Sequence, residues 1–224
     1  MTAAEEGAAD GGEAGGGGAA PVLRHMTGAD VARICRLHAA SWSPNEVSVK
    51  LGMPYLRRFY AELARSPHGF TWVYEAGGEI VGYASGFPDY DAFNAALKRR
   101  HRAALGALAL WRMAAGKLSP ADLRDLLDDG RKLRQVRWPR HHWGAMAVAN
   151  AYKGTPLGRQ AVLATVNAVF DELRRRGCPG VWGACDDRNV PMKKYLQKLG
   201  FAEVEAVPFR TRTIRVYEKA LAPA

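Results

Sequence analysis

Apolar positions change their period several times along the chain, and each change predicts a new element. Val22–His25 reads as a short first strand, followed by a helix from about Thr27, where Thr27 can cap and Asp30 sits near the positive end of the helix dipole. Val31, Ile34 and Cys35 give that helix its apolar face. Leu51, Tyr55, Phe59 and Leu63 recur every four residues and predict a second amphipathic helix that ends before Pro67. Phe70–Glu75 and Ile80–Phe87 are β-rich runs separated by Ala76-Gly77-Gly78-Glu79, the turn of an antiparallel hairpin. Residues 91–136 then become Ala/Leu/Arg-rich and helical, with Ser119 as an N-cap ahead of Pro120. Strands follow at Trp143–Val148 and Val181–Cys185, helices at Pro156–Arg176 and Pro191–Leu199, and a closing strand at Thr211–Lys219. The order is mixed α/β: a central sheet flanked by helices, with a helical insertion at about 90–137 between the third and fourth strands.

Composition narrows the class. With 224 residues, 48% of them hydrophobic, the chain suits one domain over 21–224 with a sizeable core. Residues 1–20 are nearly all Ala, Gly and acidic, a composition that cannot offset the entropy of ordering and predicts a disordered tail. No apolar run reaches the roughly 20 residues that span a bilayer, and the N-terminus lacks the regions of a secretory signal, so a soluble, cytoplasmic protein is expected. Three cysteines without C-x-x-C spacing suggest reduced thiols and no metal cluster.

Charge adds a partner class. The tail contributes −4 to a net charge of +10, so the remainder carries +14 and invites an anionic partner: a phosphate-rich cofactor, anionic lipid or nucleic acid. From Asp89 to Arg140, twelve Lys and Arg face six Asp. Leu105, Leu108, Trp111 and Met113 interleave with them, so this segment is a lid over the site, a surface-binding helix or a solvated helical face.

The most informative stretch is Ala147-Val148-Ala149-Asn150-Ala151-Tyr152-Lys153-Gly154-Thr155-Pro156-Leu157-Gly158-Arg159, a strand, a glycine-containing turn and a helix start. Unpaired amides at such a turn converge on one point where the helix dipole adds positive potential, which makes a diphosphate cradle. Val162, Val166, Val169 and Leu173 form the stripe that would fix this helix to the sheet. The same pattern also fits an ordinary strand-to-helix connection. A second segment runs from Asn189, a natural N-cap, to Gly200 and Phe201, with Met192, Tyr195, Leu196 and Leu199 on one apolar face.

Together the two segments resemble the GNAT acyltransferase family, whose acyl-CoA loop reads Arg/Gln-x-x-Gly-x-Gly and whose later segment reads Asn…Tyr…Gly-Phe. Lys153, Gly154, Pro156, Leu157 and Gly158 fall on the first motif; Asn189, Gly200 and Phe201 fall on the second. The resemblance implies the GNAT fold, with the fourth and fifth strands splayed to admit pantetheine. It implies acetyl-CoA, or a related acyl-CoA, as donor, held by Met146, Ala147 and Val148, by Lys153, Gly154, Thr155, Leu157, Gly158 and Arg159, and by Asn189. Direct acyl transfer to an amine or hydroxyl of an unidentified acceptor would follow, in a chain that also leaves room for a homodimer.

Two departures bear on the chemistry. Pro156 stands at the loop's usual first glycine and offers no N–H. The family's acid tyrosine is expected seven residues after the asparagine, where Leu196 stands; Tyr195 lies one residue early, about 100° around the helix. Tyr195 is therefore a candidate acid whose register points it to the core. For the base, His142 is the first candidate, because a pKa near 6.5 suits the role. Strand alternation puts it on one face with Gly144 and Met146, with His141, Trp143 and Ala145 on the other. Asp186 and Asp187 end the fifth strand near the presumed cleft or serve as turn residues. The alternatives are a catalytically silent acyl-CoA-binding module and, less favoured for want of a reading motif, a nucleic-acid binder.

Overall fold

The computed structural model describes residues 20–124, 136–209 and 212–221. The tail expected over 1–20 lies outside them except for Ala20, and the insertion is described only in part.

Seven strands form one sheet: β1 (Val22–His25), β2 (Phe70–Ala76), β3 (Glu79–Phe87), β4 (His142–Val148), β5 (Gly180–Asp186), β6 (Ala202–Pro208) and β7 (Thr213–Ala220). Their order is β1-β2-β3-β4-β5-β7-β6. Every neighbouring pair is antiparallel except β4 and β5, which run parallel. The β2–β3 hairpin closes on Ala76↔Glu79 with Gly77 and Gly78 at φ 57° and 77°. Both central residues are left-handed, as a two-residue primed turn requires, so the sequence signal was a backbone requirement.

On one face lie α1 (Val31–Ser41), α3 (Met53–Leu63) and α4 (Tyr90–Ala114). They bury Ile34, Leu56, Tyr60, Leu63, Phe93 and Leu97 against Val73, Tyr83 and Phe87 of the sheet. On the other face, α5 (Pro156–Arg175) and α6 (Val190–Lys198) bury Val166, Val169, Leu173 and Leu196 against Ala84, Trp143, Val181 and Tyr217. Each such aliphatic side chain contributes roughly 1.5–3 kcal/mol of transfer free energy, so the two cores fix the sheet between rigid layers.

Two details differ from the sequence pattern. The helix expected through Leu51 and Leu63 divides at Gly52, φ 77°, into α2 (Val47–Leu51) and α3. A Cβ at Gly52 would meet Arg112 Nη2 at 1.9 Å, and Arg112 Nε donates to the Leu51 carbonyl at 3.1 Å. Gly52 and, in the first turn of α3, Pro54 supply the break locally, and Arg112 packs into it. Strand β6 has no counterpart among the elements predicted from the sequence, although Ala202-Glu203-Val204-Glu205-Ala206 alternates; it is an edge strand with Val204 exposed, so its alternation marks no buried face.

In the insertion, α4 is capped by Asp89, whose carboxylate accepts from Ala92 N–H at 2.9 Å. Residues 120–124 are helical behind a Ser119–Asp122 capping box, and Asp122 pairs with Lys50 at 2.6 Å. Leu110 and Trp111 of α4 are exposed. Among the described residues no helix is long and apolar enough to cross a membrane.

Candidate active site

The site begins with an irregularity in β4. Ala84 pairs with Met146 but Gly86 pairs with Trp143, so β4 spends one more residue than β3 over this interval. The extra residue reverses the alternation. Trp143 packs into the core beneath α5 and so does Met146, whereas a Cβ on Gly144 would meet Phe87 on the opposite face at 2.4 Å. The expected sharing of a face by His142 and Met146 is thus corrected: the bulge separates them.

β4 and β5 pair only at His142↔Trp182, where Trp182 N–H donates to the His141 carbonyl at 3.0 Å. Beyond that pairing the strands diverge. The Met146 and Val148 carbonyls point into the gap and accept from the Trp42 indole N–H and the Ser41 hydroxyl, each at 3.2 Å. Strand alternation puts the N–H groups of the same two residues on that edge. A cavity of about 530 Å³ opens along it, walled by Trp42, Tyr90, His142, Met146, Trp182 and Asn189.

His142 is stacked among Phe87, Tyr90 and Trp182, with ring centroids 5.7, 4.5 and 4.0 Å away. Its Nδ1 is buried without a hydrogen-bond partner. Burial among apolar rings pushes its pKa down to about 3. The expected pKa near 6.5 is therefore corrected, and His142 presents a neutral imidazole at physiological pH. His141 diverges from it: its Nδ1 is bonded to the Pro88 carbonyl at 2.7 Å, which ties it to the α4 entry.

At the start of α5, Thr155 is the N-cap, its Oγ1 accepting from Gly158 N–H at 3.1 Å and donating to the Tyr152 carbonyl at 2.8 Å. Thr155 N–H donates to the Tyr152 carbonyl and Arg159 N–H to the Thr155 carbonyl. Among the described residues only Gly154 and Leu157 keep unpartnered amides in this turn. A Cβ on Gly154, φ 79°, would meet nothing within 4 Å, so space beside its amide is open. Arg159 reaches back to the Gly154 carbonyl at 2.7 Å, and Lys153 is exposed. The turn thus offers two amides, two cations and the dipole of a 20-residue helix.

Asn189 caps α6, accepting from Met192 N–H at 3.2 Å, and lines the cavity. Tyr195 packs against the core cluster, 6.4 Å from the Trp143 ring, with its hydroxyl buried and unpartnered. It does not line the cavity. Asp186 lines the cavity and is held by Arg188 at 2.7 and 2.8 Å, while Asp187 is engaged by Lys193 and Arg215. Cys185 is also in the wall, but burial pushes its thiol up to about 11, so it is not a thiolate nucleophile near neutrality. Sequence reasoning missed Ser41, Trp42, Glu46, Tyr90, Trp182, Arg188 and Arg212, which come to the cavity from separate elements. Among the described residues no cluster of His, Cys, Asp or Glu could hold a metal ion.

The model of the acetyltransferase (GNAT) family matches residues 32–117. No curated protein matches the chain in sequence. Among solved structures it is similar to the ribosomal-protein-alanine N-acetyltransferase of Brucella melitensis, at 16% identity and TM-score 0.56, covering 89% of this chain and 99% of that one. An N-acetyltransferase of Staphylococcus aureus Mu50 is 13% identical with TM-score 0.55 over 91% and 99% of the two chains. The yncA protein of Salmonella typhimurium, solved with its cofactor acetyl-CoA, is 16% identical with TM-score 0.51 over 92% and 96%.

Proposed function

We propose, for a chain that carries a GNAT-family acetyltransferase domain on the GNAT fold, that it moves the acetyl group of acetyl-CoA directly onto an amine held in the cavity between β4 and β5. The observation that carries this is the opening of the β4–β5 seam beyond one pairing, with Met146 lining a cavity that runs to Asn189.

The residues fit the cofactor's chemistry. The open amides of Gly154 and Leu157, with Lys153 and Arg159, would hold the diphosphate; Pro156 has no N–H and the Gly158 amide is taken by Thr155, so this donor set is smaller than the motif suggested. With their carbonyls taken by Trp42 and Ser41, Met146 and Val148 would offer their N–H groups to the carbonyls of an extended amide-bearing arm, and Asn189 would border it. When bound, acetyl-CoA supplies a thioester carbon open to attack. Attack by an amine nitrogen would form the nitrogen–carbon bond and break the carbon–sulfur bond, with the proton lost by nitrogen balancing the one gained by sulfur.

His142 faces the incoming amine as a neutral hydrogen-bond acceptor. With its pKa near 3, leaving a full proton on it costs about 1.4 kcal/mol for every unit below the donor's pKa, so it orients the nitrogen instead of storing its proton. Tyr195, hydroxyl buried and pushed up to about 12, supplies no proton to the leaving sulfur in this reading. That burial favours a second reading, a silent acyl-CoA-binding module. Titration calorimetry with acetyl-CoA tests the shared binding claim, and thiol release in the presence of an amine panel separates the two: binding without release from any amine leaves the silent module.

A further inference from the structure

Beside the main cavity lies a second hollow of about 230 Å³, lined by Asn45, Lys50, Arg188 and Arg212. Arg188 and Arg212 belong to both walls, so the two spaces adjoin. Among the described residues three cations and one amide surround the smaller hollow, and no carboxylate lines it.

Cations gathered around one space repel each other, and here each is held by a carboxylate placed elsewhere. Lys50 pairs with Asp122 at 2.6 Å, Arg188 with Asp186 at 2.7 Å, and Arg212 with Glu46. Glu46 and Asp186 line the main cavity, and Asp122 lines neither. The carboxylates fix the cations while leaving donors free. Lys50 uses one of its three N–H groups on Asp122, and Arg188 uses Nε and Nη2 on Asp186, leaving Nη1. Lys50 and Arg212 are largely buried, with side chains 22% and 14% exposed, while Arg188 is 64% exposed, so an anion placed there would be less screened on its Lys50 and Arg212 side than on an open surface.

We propose that this hollow is an oxyanion subsite of the acceptor site: the acceptor is an amine that also carries a carboxylate or phosphate, bound by Lys50, Arg188 and Arg212 while its nitrogen lies in the aromatic cavity by His142. The inference rests on the acyl-transfer reading for the amine, but the anion site itself does not. Charge-assisted bonds from guanidinium forks suit planar carboxylates and phosphates alike. The aromatic wall of Trp42, Tyr90 and Trp182 accepts the intervening apolar part of such a molecule.

The test has two arms. Inorganic phosphate is titrated by calorimetry, at constant ionic strength, into protein saturated with CoA. It binds, Lys50→Gln and Arg212→Gln each weaken it at least fivefold, and Arg99→Gln, on the exposed face of α4, leaves it unchanged. No phosphate binding, or equal weakening by Arg99→Gln, overturns the subsite; so does a subsite blocked by CoA itself. In the second arm, acetylation of tyrosine and O-phosphoethanolamine is compared with that of tyramine and ethanolamine. The anion-bearing member of each pair is favoured at least tenfold in kcat/KM, and the Gln variants remove that preference; the two pairs distinguish carboxylate from phosphate. Equal or reversed preference overturns the proposal. Should the protein fail to bind acetyl-CoA at all, the acyl-transfer reading falls, while phosphate binding to the protein alone, weakened at least fivefold in both Gln variants and unchanged in Arg99→Gln, still establishes the anion site.

Discussion

Replacing Gly158 by alanine tests the proposed phosphate-binding turn at one atom. A Cβ on Gly158 would lie 2.0 Å from the Tyr152 carbonyl oxygen and 2.9 Å from its carbon. Both are backbone atoms, so relief requires the turn to retreat by roughly 1.5 Å towards an ordinary contact near 3.5 Å. The same carbonyl accepts from Thr155 N–H at 3.2 Å and Thr155 Oγ1 at 2.8 Å, and Thr155 Oγ1 accepts from Gly158 N–H at 3.1 Å. Movement therefore strains three hydrogen bonds and the N-cap of α5 together. Overpacking costs about 1–3 kcal/mol and the lost cap about 1 kcal/mol, not fully additive, which gives about 2–3 kcal/mol. For a domain of this size that lowers the thermal midpoint by roughly 4–12 °C. The amides of Gly154 and Leu157 move with the turn, and acetyl-CoA affinity falls tenfold or more, about 1.4 kcal/mol. Gly154→Ala is the control: its φ of 79° makes a side chain cost about 1–2 kcal/mol, but the space is open and the turn stays in place. Scanning calorimetry and acetyl-CoA titration decide. A Gly158→Ala protein with an unchanged midpoint and unchanged affinity, or one less affected than Gly154→Ala, refutes the reasoning.

Tyr195→Phe removes a buried, unpartnered hydroxyl, so the midpoint holds or rises and turnover falls by less than tenfold; a loss of a hundredfold with cofactor affinity intact would give the hydroxyl the acid role. His142 stays neutral down to a pKa of about 3, so turnover of the wild type shows no acid limb from this group between pH 5 and 8; a limb near 6.5 that vanishes in His142→Gln would restore it as the base. His38, buried and bonded to Tyr60 at 2.8 Å, has its pKa pushed down to about 4 by desolvation. The folded state then binds fewer protons than the unfolded one between about 6.5 and 4, so stability is present above 6.5 and lost as pH falls through that window, by about 2 kcal/mol from pH 7 to pH 5. Urea unfolding at the two pH values measures it, and an equal slope in His38→Gln would remove the assignment.

Elements with their own backbone chemistry were legible in the sequence. α6 carries its cap at Asn189 and its stop at Gly200, φ 80°, so both ends and the apolar face were readable. The α5 stripe of Val166, Val169 and Leu173 is buried as the periodicity required. What escaped was overridden by a stronger periodicity or depends on partners distant in sequence. The break at Gly52 has local breakers, Gly52 and Pro54, that the four-residue apolar spacing overrode, while the exposed β6 is specified by its pairing with β7. Trp42 and Tyr90 are ordinary aromatic residues at the end of one helix and the start of another until the sheet brings them to one cavity.

The bulge in β4 has one local signal in His141-His142-Trp143-Gly144-Ala145-Met146, the glycine inside the strand, and it places His142 and Met146 on opposite faces. An open seam between strands leaves backbone groups that a closed ladder would pair, and each buried, unserved carbonyl costs about 1–3 kcal/mol. Here Trp42 and Ser41 satisfy the Met146 and Val148 carbonyls. The stack of His142 on Trp182, 4.0 Å between centroids, holds the strands at their last pairing. The N–H groups of the same edge receive no such side chain among the described residues, so the edge is left as a row of donors. Donors on β4 and donors at the start of α5 both favour a ligand rich in carbonyl and phosphate oxygens, and the +14 carried beyond the tail agrees with them in sign.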